Sequence, residues 1–463
     1  MTTVVPFDST RRPRPRQAVR DARARRASRP ADTVPDCSIV TPDGGVPLVT
    51  GEYVDYANFD YAASAPCLTA VADALSAALP YYASVHRGAG HHSRISTEAY
   101  EQARRGVAGF LGARPETDAV VFVRGTTDAL NLLARCVPDG CTVVVFESEH
   151  HASLLPWEHP AARAAKVVRL PLPATPDAAV EAARTALRRA PEGPKLLCVT
   201  AASNVTGEIW PVEDLVEAAH AEDARVVVDA AQYVPHLPFS LTDTGADYVA
   251  LSGHKLYAPF GSGVLAGRAD WLGEAAPYLS GGGATRKVTD HDVLWNDLPA
   301  RHEAGSPNVL GAVALAAACA TFTEDTLYLQ HIRESALLER LRAGFCEIDG
   351  VHELTLWGPE QARVGIVSFV VDGLPADLLA AALSAEYGIG VRDGLFCAHP
   401  LTAHLLPRGH TQAVRASLGV GTTEEHVDRL VGAVADLVAH GPRWEYVDLD
   451  GRSVPASDPR DAL

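Results

Sequence analysis

Lys255 follows the turn Ser252-Gly253-His254 at the end of a short apolar run, a placement that suits a nucleophile toward an aldehyde. Such an amine has to be partly desolvated, because only its neutral form attacks a carbonyl carbon to form a Schiff base. Asp229 closes a second run, Val226-Val227-Val228. A buried carboxylate there is costly unless a cation pairs with it, and a protonated pyridinium nitrogen is one such cation. Gln232, three residues on, can hydrogen-bond a phenolic oxygen of the same ring. Gly125-Thr126-Thr127 ends a further run and opens a helical pattern, so its N–H groups and hydroxyls suit a phosphate. His150 stands at another run's end and can stack on a flat ring. Each residue has an ordinary alternative: lysines are mostly exposed, small-residue turns cap helices, and lone histidines are more often structural.

The elements that must position these residues are legible in the hydropathy. Strands are expected over Ala119–Val123, Thr142–Phe146, Val167–Leu172, Lys195–Thr200, Arg225–Val228, Tyr248–Leu251 and Ser262–Ala266. Helical patterns over Asp128–Arg135, Asp177–Arg189 and Val212–Ala221 alternate with them, the signature of a mostly parallel sheet covered by helices. In such sheets ligands collect at the carboxyl ends of the strands, where the polar residues above fall. After about residue 310 the pattern changes. Helices over Ala312–Thr321, Tyr328–Leu341, Ala376–Tyr387 and Glu424–Leu437 and strands over Gly365–Val371, at Val391 and over Ala416–Val420 predict a smaller α+β domain.

A chain of 463 residues exceeds what one core holds, so a large domain (46–310) and a small one (311–440) are expected. Nine arginines between Arg11 and Arg29, with Pro13 and Pro15 among them, make residues 1–45 read as a disordered basic tail. Residues 441–463 read as frayed. The net charge of −17 argues against nucleic-acid binding, and no apolar run approaches the roughly 18–20 residues of a membrane helix. Eight scattered cysteines without zinc-ligand spacing predict no metal site and a reducing, cytoplasmic setting.

Set in order, the motifs reach a known family. Gly125-Thr126-Thr127, Glu149-His150-His151, Ser203-Asn204-Val205, Asp229-Ala230-Ala231-Gln232, Ser252-Gly253-His254-Lys255-Leu256, Ala304-Gly305-Ser306-Pro307-Asn308 and Arg415-Ala416-Ser417-Leu418 closely resemble the class V aminotransferases. Within them the chain is most similar to the group II cysteine desulfurase and selenocysteine lyase branch. Asp60-Tyr61-Ala62-Ala63-Ser64 and Val85-His86-Arg87-Gly88 add to the match, which covers roughly residues 53–440.

The resemblance implies an α/β protein of aminotransferase fold type I, with a large, mostly parallel seven-stranded sheet domain and a smaller C-terminal α+β domain. It implies pyridoxal 5'-phosphate as cofactor, held by Lys255 as a Schiff base. His150 would stack on the cofactor ring, Asp229 pair with its nitrogen and Gln232 meet its phenolic oxygen. Thr126, Thr127, Ser252 and His254 would bind the phosphate, with Ser306 reaching it from the neighbouring subunit of a homodimer. Asn204 and Arg415, assisted by Arg392, would hold the substrate carboxylate, and the small Ala62 and Ala63 would leave room beside it.

Cys397, in Gly390-Val391-Arg392-Asp393-Gly394-Leu395-Phe396-Cys397-Ala398-His399-Pro400, aligns with the family's desulfurase nucleophile. The resemblance then implies a Cys397 persulfide, alanine as product and a sulfur-acceptor protein as partner. Leu395-Phe396 replace the two histidines that usually precede this cysteine, and an apolar flank lowers a thiol's thiolate fraction. Arg392 and His399 can supply the electropositive setting instead. Two alternatives stand beside this reading: an aminotransferase, epimerase or C–S lyase on a specialised amino acid, and a non-catalytic partner protein.

Overall fold

The computed structural model describes residues 37–462. In chain order the main elements begin with the short strand β1 (Ala57–Asn58) and the helices α1 (Thr69–Ala78) and α2 (His91–Phe110). The large domain continues through β2 (Asp118–Val123), α3 (Thr126–Cys136), β3 (Thr142–Phe146), the one-turn helix α4 (His151–Leu154) and β4 (Lys166–Leu170). It is completed by α5 (Pro176–Arg188), β5 (Lys195–Thr200), α6 (Val212–His220), β6 (Arg225–Asp229), β7 (Tyr248–Ser252) and β8 (Gly263–Arg268).

These strands form one seven-stranded sheet in the order β2-β8-β7-β6-β5-β3-β4. Only β8 runs against its neighbours. The central strands are apolar on both faces because helices cover both. In β3, Val144 and Phe146 enter one core cluster while Val143 and Val145 enter the other. Strand β5 divides in the same way, Leu197 and Val199 against Leu196 and Cys198.

Two long helices follow, α7 (Val309–Thr321) and α8 (Glu324–Cys346). The expected domain boundary at residue 310 is too early. Ala314, Leu315 and Ala318 of α7 pack into the large-domain core, and so does Leu327 at the start of α8. Leu337, Leu338, Leu341 and Phe345 of the same helix belong to the small-domain core, so the change of domain occurs along α8.

The small domain holds β9 (Val351–Glu353), β10 (Ile366–Val371), α9 (Ala376–Tyr387), β11 (Ile389–Gly390), β12 (Arg392–Gly394), α10 (His399–Leu405), β13 (Ala413–Ser417) and α11 (Glu424–His440). Its antiparallel sheet runs β9-β10-β13-β12. The segment before the large domain joins it: β1 pairs in parallel with β11, and Ser417 N–H donates to Phe59 O at 2.7 Å.

Both expected tails need correction. Residues 1–36 of the basic tail lie outside the described residues, but residues 37–45 are anchored: Ile39 bridges Leu68 and Val40 N–H donates to Cys67 O. At the other end the chain forms a hairpin of β14 (Tyr446–Leu449) and β15 (Arg452–Pro455) rather than fraying. It docks on α9, where Ser453 N–H and Oγ both donate to Asp377 Oδ2 and Tyr446 Oη donates to Glu386 Oε1. Its polar composition hid this because the anchoring is by hydrogen bonds rather than by apolar burial. Among the described residues no single helix is long and apolar enough to cross a membrane.

Candidate active site

The carboxyl ends of β2, β3, β5, β6 and β7 are tied together by short-range polar contacts. Where β2 turns into α3, Thr126 N–H donates to Ser252 Oγ at 2.8 Å, and the two hydroxyls lie 2.9 Å apart. Gly125 allows this approach, since a Cβ there would stand 3.1 Å from Ser252 Oγ. Gly263 on β8 is stricter: a Cβ would meet Gly125 Cα at 2.5 Å. Thr127 is exposed at the same helix start. The first N–H groups of an eleven-residue helix and two converging hydroxyls form an anion cradle. His254, half-buried beside it, is held below the usual histidine pKa by burial and by Lys255, and so is neutral near pH 7.

Asp229 ends β6 buried, at 5% exposure. Its Oδ2 accepts from Ser153 Oγ at 2.7 Å and its Oδ1 from Ala231 N–H at 3.0 Å. No arginine, lysine or histidine forms an ion pair with it among the described residues. Lys255 is partly buried, and desolvation lowers its amine to about 8, against the pull of Asp229, with Arg415 and Arg392 pushing the same way as burial. His150 caps α4, its Nδ1 accepting from Ala152 N–H at 3.0 Å, which leaves the ring proton on Nε2. Burial, then Lys255, depresses its pKa to about 4. Gln232 Nε2 donates to Ala62 O at 2.8 Å, fixing the amide beside the small residues Ala62 and Ala63.

On the small-domain side, Arg415 of β13 is 3% exposed. One Nη donates to Asn204 O at 2.9 Å, the other lies 3.4 Å from Asp60 Oδ1, and its buried Nε has no partner among the described residues. Desolvation brings the guanidinium down to about 10. Arg392 of β12 is its cross-strand neighbour and exposed. Asn204 Nδ2 donates to Phe396 O at 2.7 Å, and the buried Phe396 ring lies 5.2 Å from the Arg415 guanidinium carbon. Cys397 follows, exposed, with its carbonyl accepting from His151 N–H at 2.8 Å. Phe396 and Cys397 both have left-handed backbones, φ 52° and 54°. That strain turns the phenyl ring inward and leaves the thiol out.

The expected residues therefore gather, with one exception. Ser306 is exposed in the loop before α7, where Arg87 donates to Gly305 O at 3.1 Å. No hydrogen bond among the described residues ties it to the Thr126–Ser252 cradle. Three participants were not assigned roles from sequence. Ser153 anchors Asp229, and only its one-turn spacing from His150 could have pointed to it. Asp60 meets Arg415; burial raises its carboxyl despite that arginine. Glu149 is fully buried, Oε1 accepting from Thr200 N–H at 2.9 Å, and burial followed by Asp229 pushes its carboxyl well up.

These residues fit pyridoxal phosphate. The buried Asp229 has no ion-pair partner among the described residues, the lowered Lys255 amine can take up an aldehyde, the cradle suits a phosphate, and Arg415 Nε can take an acceptor. A family profile, aminotransferase class V, matches residues 57–430. A probable cysteine desulfurase of Vibrio cholerae is 35% identical over 84% of this chain and 95% of its own. A cysteine desulfurase of Haloferax volcanii is 36% identical over 76% of this chain and 82% of its own. The solved apo cysteine desulfurase of Thermococcus onnurineus superposes with TM-score 0.75 at 33% identity, covering 83% and 95% of the two chains. The cysteine desulfurase CsdA of Escherichia coli, solved in an S-sulfonic acid form, gives 0.72 at 30%, covering 83% and 95%. The chain belongs to the class V aminotransferase family and is a pyridoxal-phosphate-dependent enzyme.

Proposed function

We propose that the protein is a cysteine desulfurase that takes sulfur from L-cysteine, or selenium from L-selenocysteine, onto Cys397 and releases alanine. The observation that carries this reading is the exposed Cys397 thiol, on a loop clamped by Asn204 and His151, close enough to Lys255 and Arg415 for its charge to act on both.

Thr126, Thr127, Ser252 and His254 would hold the cofactor phosphate, Asp229 the ring nitrogen, Gln232 the phenolic oxygen and His150 the ring face. Lys255 would bond the aldehyde carbon. The bound cofactor supplies an electron sink for bonds at the substrate's α-carbon. Arg415 and Asn204 take the substrate carboxylate, with Arg392 at the entrance, and Ala62 and Ala63 leave space for a small side chain. Lys255, neutral on release from the cofactor, moves a proton at the substrate carbon.

The Cys397 sulfur donates a lone pair to the substrate sulfur. The substrate C–S bond breaks with its electron pair going to carbon, which gains a proton. The balance is L-cysteine plus Cys397 thiol giving L-alanine plus Cys397 persulfide: carbon is reduced and sulfur oxidised. A small thiol, or a cysteine of an acceptor protein, then discharges the sulfur. Ser306 points to a homodimer in which each site is completed by its neighbour, and a reducing cytoplasm suits the thiol chemistry.

The test is alanine and sulfide release from L-cysteine in the presence of a thiol, with mass analysis of the Cys397 peptide. Equimolar products, and a sulfur-atom mass gain that vanishes in Cys397→Ala, are expected. Turnover indifferent to Cys397 would overturn the reading in favour of transamination, epimerisation or another lyase reaction.

A further inference from the structure

Residues 395, 396 and 398 give the Cys397 loop no titratable side chain, so help in ionising the thiol has to come from elsewhere. Lys255 after β7 and Arg415 of β13 are within reach of a charge on Cys397; the other titratable groups on the elements around the loop are Arg392 and Asp393 of β12, Asp60, His150 and His151 at α4, and His399 at the start of α10. Most are committed. Lys255 serves the cofactor, Asp60 neighbours Arg415, and Arg415 is occupied by Asn204 and awaits a carboxylate. His150 spends its Nδ1 on Ala152 N–H and lies against the cofactor site.

Arg392 stands beside Arg415 for the substrate carboxylate and Asp393 carries the wrong charge to face a thiolate, which leaves His151 and His399, and they are packed together. Their rings meet edge to face with centroids 4.4 Å apart, and His399 N–H makes a long 3.5 Å hydrogen bond to His151 Nε2. The same His151 donates its backbone N–H to the Cys397 carbonyl, so the pair and the thiol-bearing residue form one unit. His399 is exposed and lies two residues beyond Cys397.

We infer that His399, acting with His151, is a positioning residue for Cys397: the ring pair receives the proton the thiol gives up and faces the resulting thiolate with a positive charge. The S–H bond breaks, its electron pair stays on sulfur, and an N–H bond forms on one ring. Two rings this close carry one proton more readily than two, so the pair can take a single proton from the thiol. Once sulfur has been transferred the proton returns to solvent, balancing the proton gained by the alanine carbon. This inference rests on the desulfurase reading of Cys397.

The experiment follows alkylation of Cys397 by iodoacetamide between pH 5 and 9 in the holoenzyme, read on the Cys397 peptide because Cys346 is also exposed. Alongside it, alanine release from L-cysteine is measured. In His399→Gln the rate at pH 7 is expected to fall about tenfold relative to wild type. His399→Lys, which keeps a cation, should restore the wild-type rate at pH 7. A His399→Gln profile that superposes on wild type would overturn the inference, as would a His399→Lys profile identical to that of His399→Gln. The two readings fail separately: wild type releasing no alanine removes the desulfurase reading, whereas alanine release with an unmoved alkylation profile removes only the role of His399.

Discussion

Ser153 donates its hydroxyl proton to Asp229 Oδ2 at 2.7 Å from within the one-turn helix that His150 caps. One short helix thus delivers the histidine for the ring face and the hydroxyl that steadies the carboxylate for the ring nitrogen. A hydrogen bond to a buried charge contributes about 1.5–3 kcal/mol, and its loss leaves the carboxylate under-solvated. Ser153→Ala should therefore lower the melting temperature of the cofactor-free protein, with a smaller difference from wild type once cofactor is bound. An unchanged apoprotein melting curve would count against the anchoring role.

Lys255 ionises near 8 because burial disfavours its charged form more than Asp229 favours it. Only the neutral amine captures the aldehyde. The rate at which apoprotein acquires the cofactor's visible absorbance should rise through pH 8 and level off above it. Lys255→Ala should show no covalent absorbance at any pH. A rate that keeps climbing toward pH 10 without a plateau would mean the amine is not desolvated.

His150 has its pKa lowered to about 4 by burial and by Lys255, against about 6.5 for an unfolded histidine. The unfolded chain then binds more protons between those values, so this group's contribution to stability is present above 6.5 and lost as pH falls toward 4. Acid melting series on apoprotein should show His150→Phe losing less stability than wild type over that interval. Parallel losses would show that the ring is not buried neutral.

Arg415 offers the substrate carboxylate a guanidinium already desolvated and oriented by Asn204 O and Asp60. Lysine carries the charge but not the planar fork. Arg415→Lys should raise KM for L-cysteine by about 10–100-fold, the equivalent of about 1.5–3 kcal/mol, with a smaller change in kcat. A kcat loss at unchanged KM would place Arg415 in the chemistry rather than in binding.

The large sheet was legible because its strands are buried on both faces and so are nearly pure apolar runs; Thr142–Phe146 and Lys195–Thr200 were placed residue for residue. The small-domain strands were harder. The strand expected at Ala416–Val420 is Ala413–Ser417, because the buried Arg415 interrupts the apolar run that marks it. Val391 is not in a strand but between two, and the second, Arg392–Gly394, has no hydropathy signal. In both places a residue selected for the site overrides the pattern that would announce the element. Lys255, Asp229 and Gln232 were readable as chemistry, whereas Ser153 carries no motif of its own, and Asp60, though it opens the Asp60–Ser64 motif, has a role only through its three-dimensional partner Arg415.

The C-terminal hairpin lies beyond the region the family profile matches, yet it covers the outer face of α9, whose inner face supplies Leu379, Ala382 and Leu383 to the small-domain core. Asp377 and Glu386 on that outer face accept hydrogen bonds from Ser453, Tyr446, Arg443 and Trp444. Helix α9 also packs against β12, which leads into the Cys397 loop. Removing residues 442–463 would leave two carboxylates without these donors and loosen the helix beneath that strand. The truncated protein should bind cofactor normally, since Lys255, Asp229 and the cradle belong to the large domain. It should show faster amide exchange in α9 and β12 and a severalfold lower rate of sulfur transfer. Unchanged exchange in α9 would mean the hairpin merely rests on the helix.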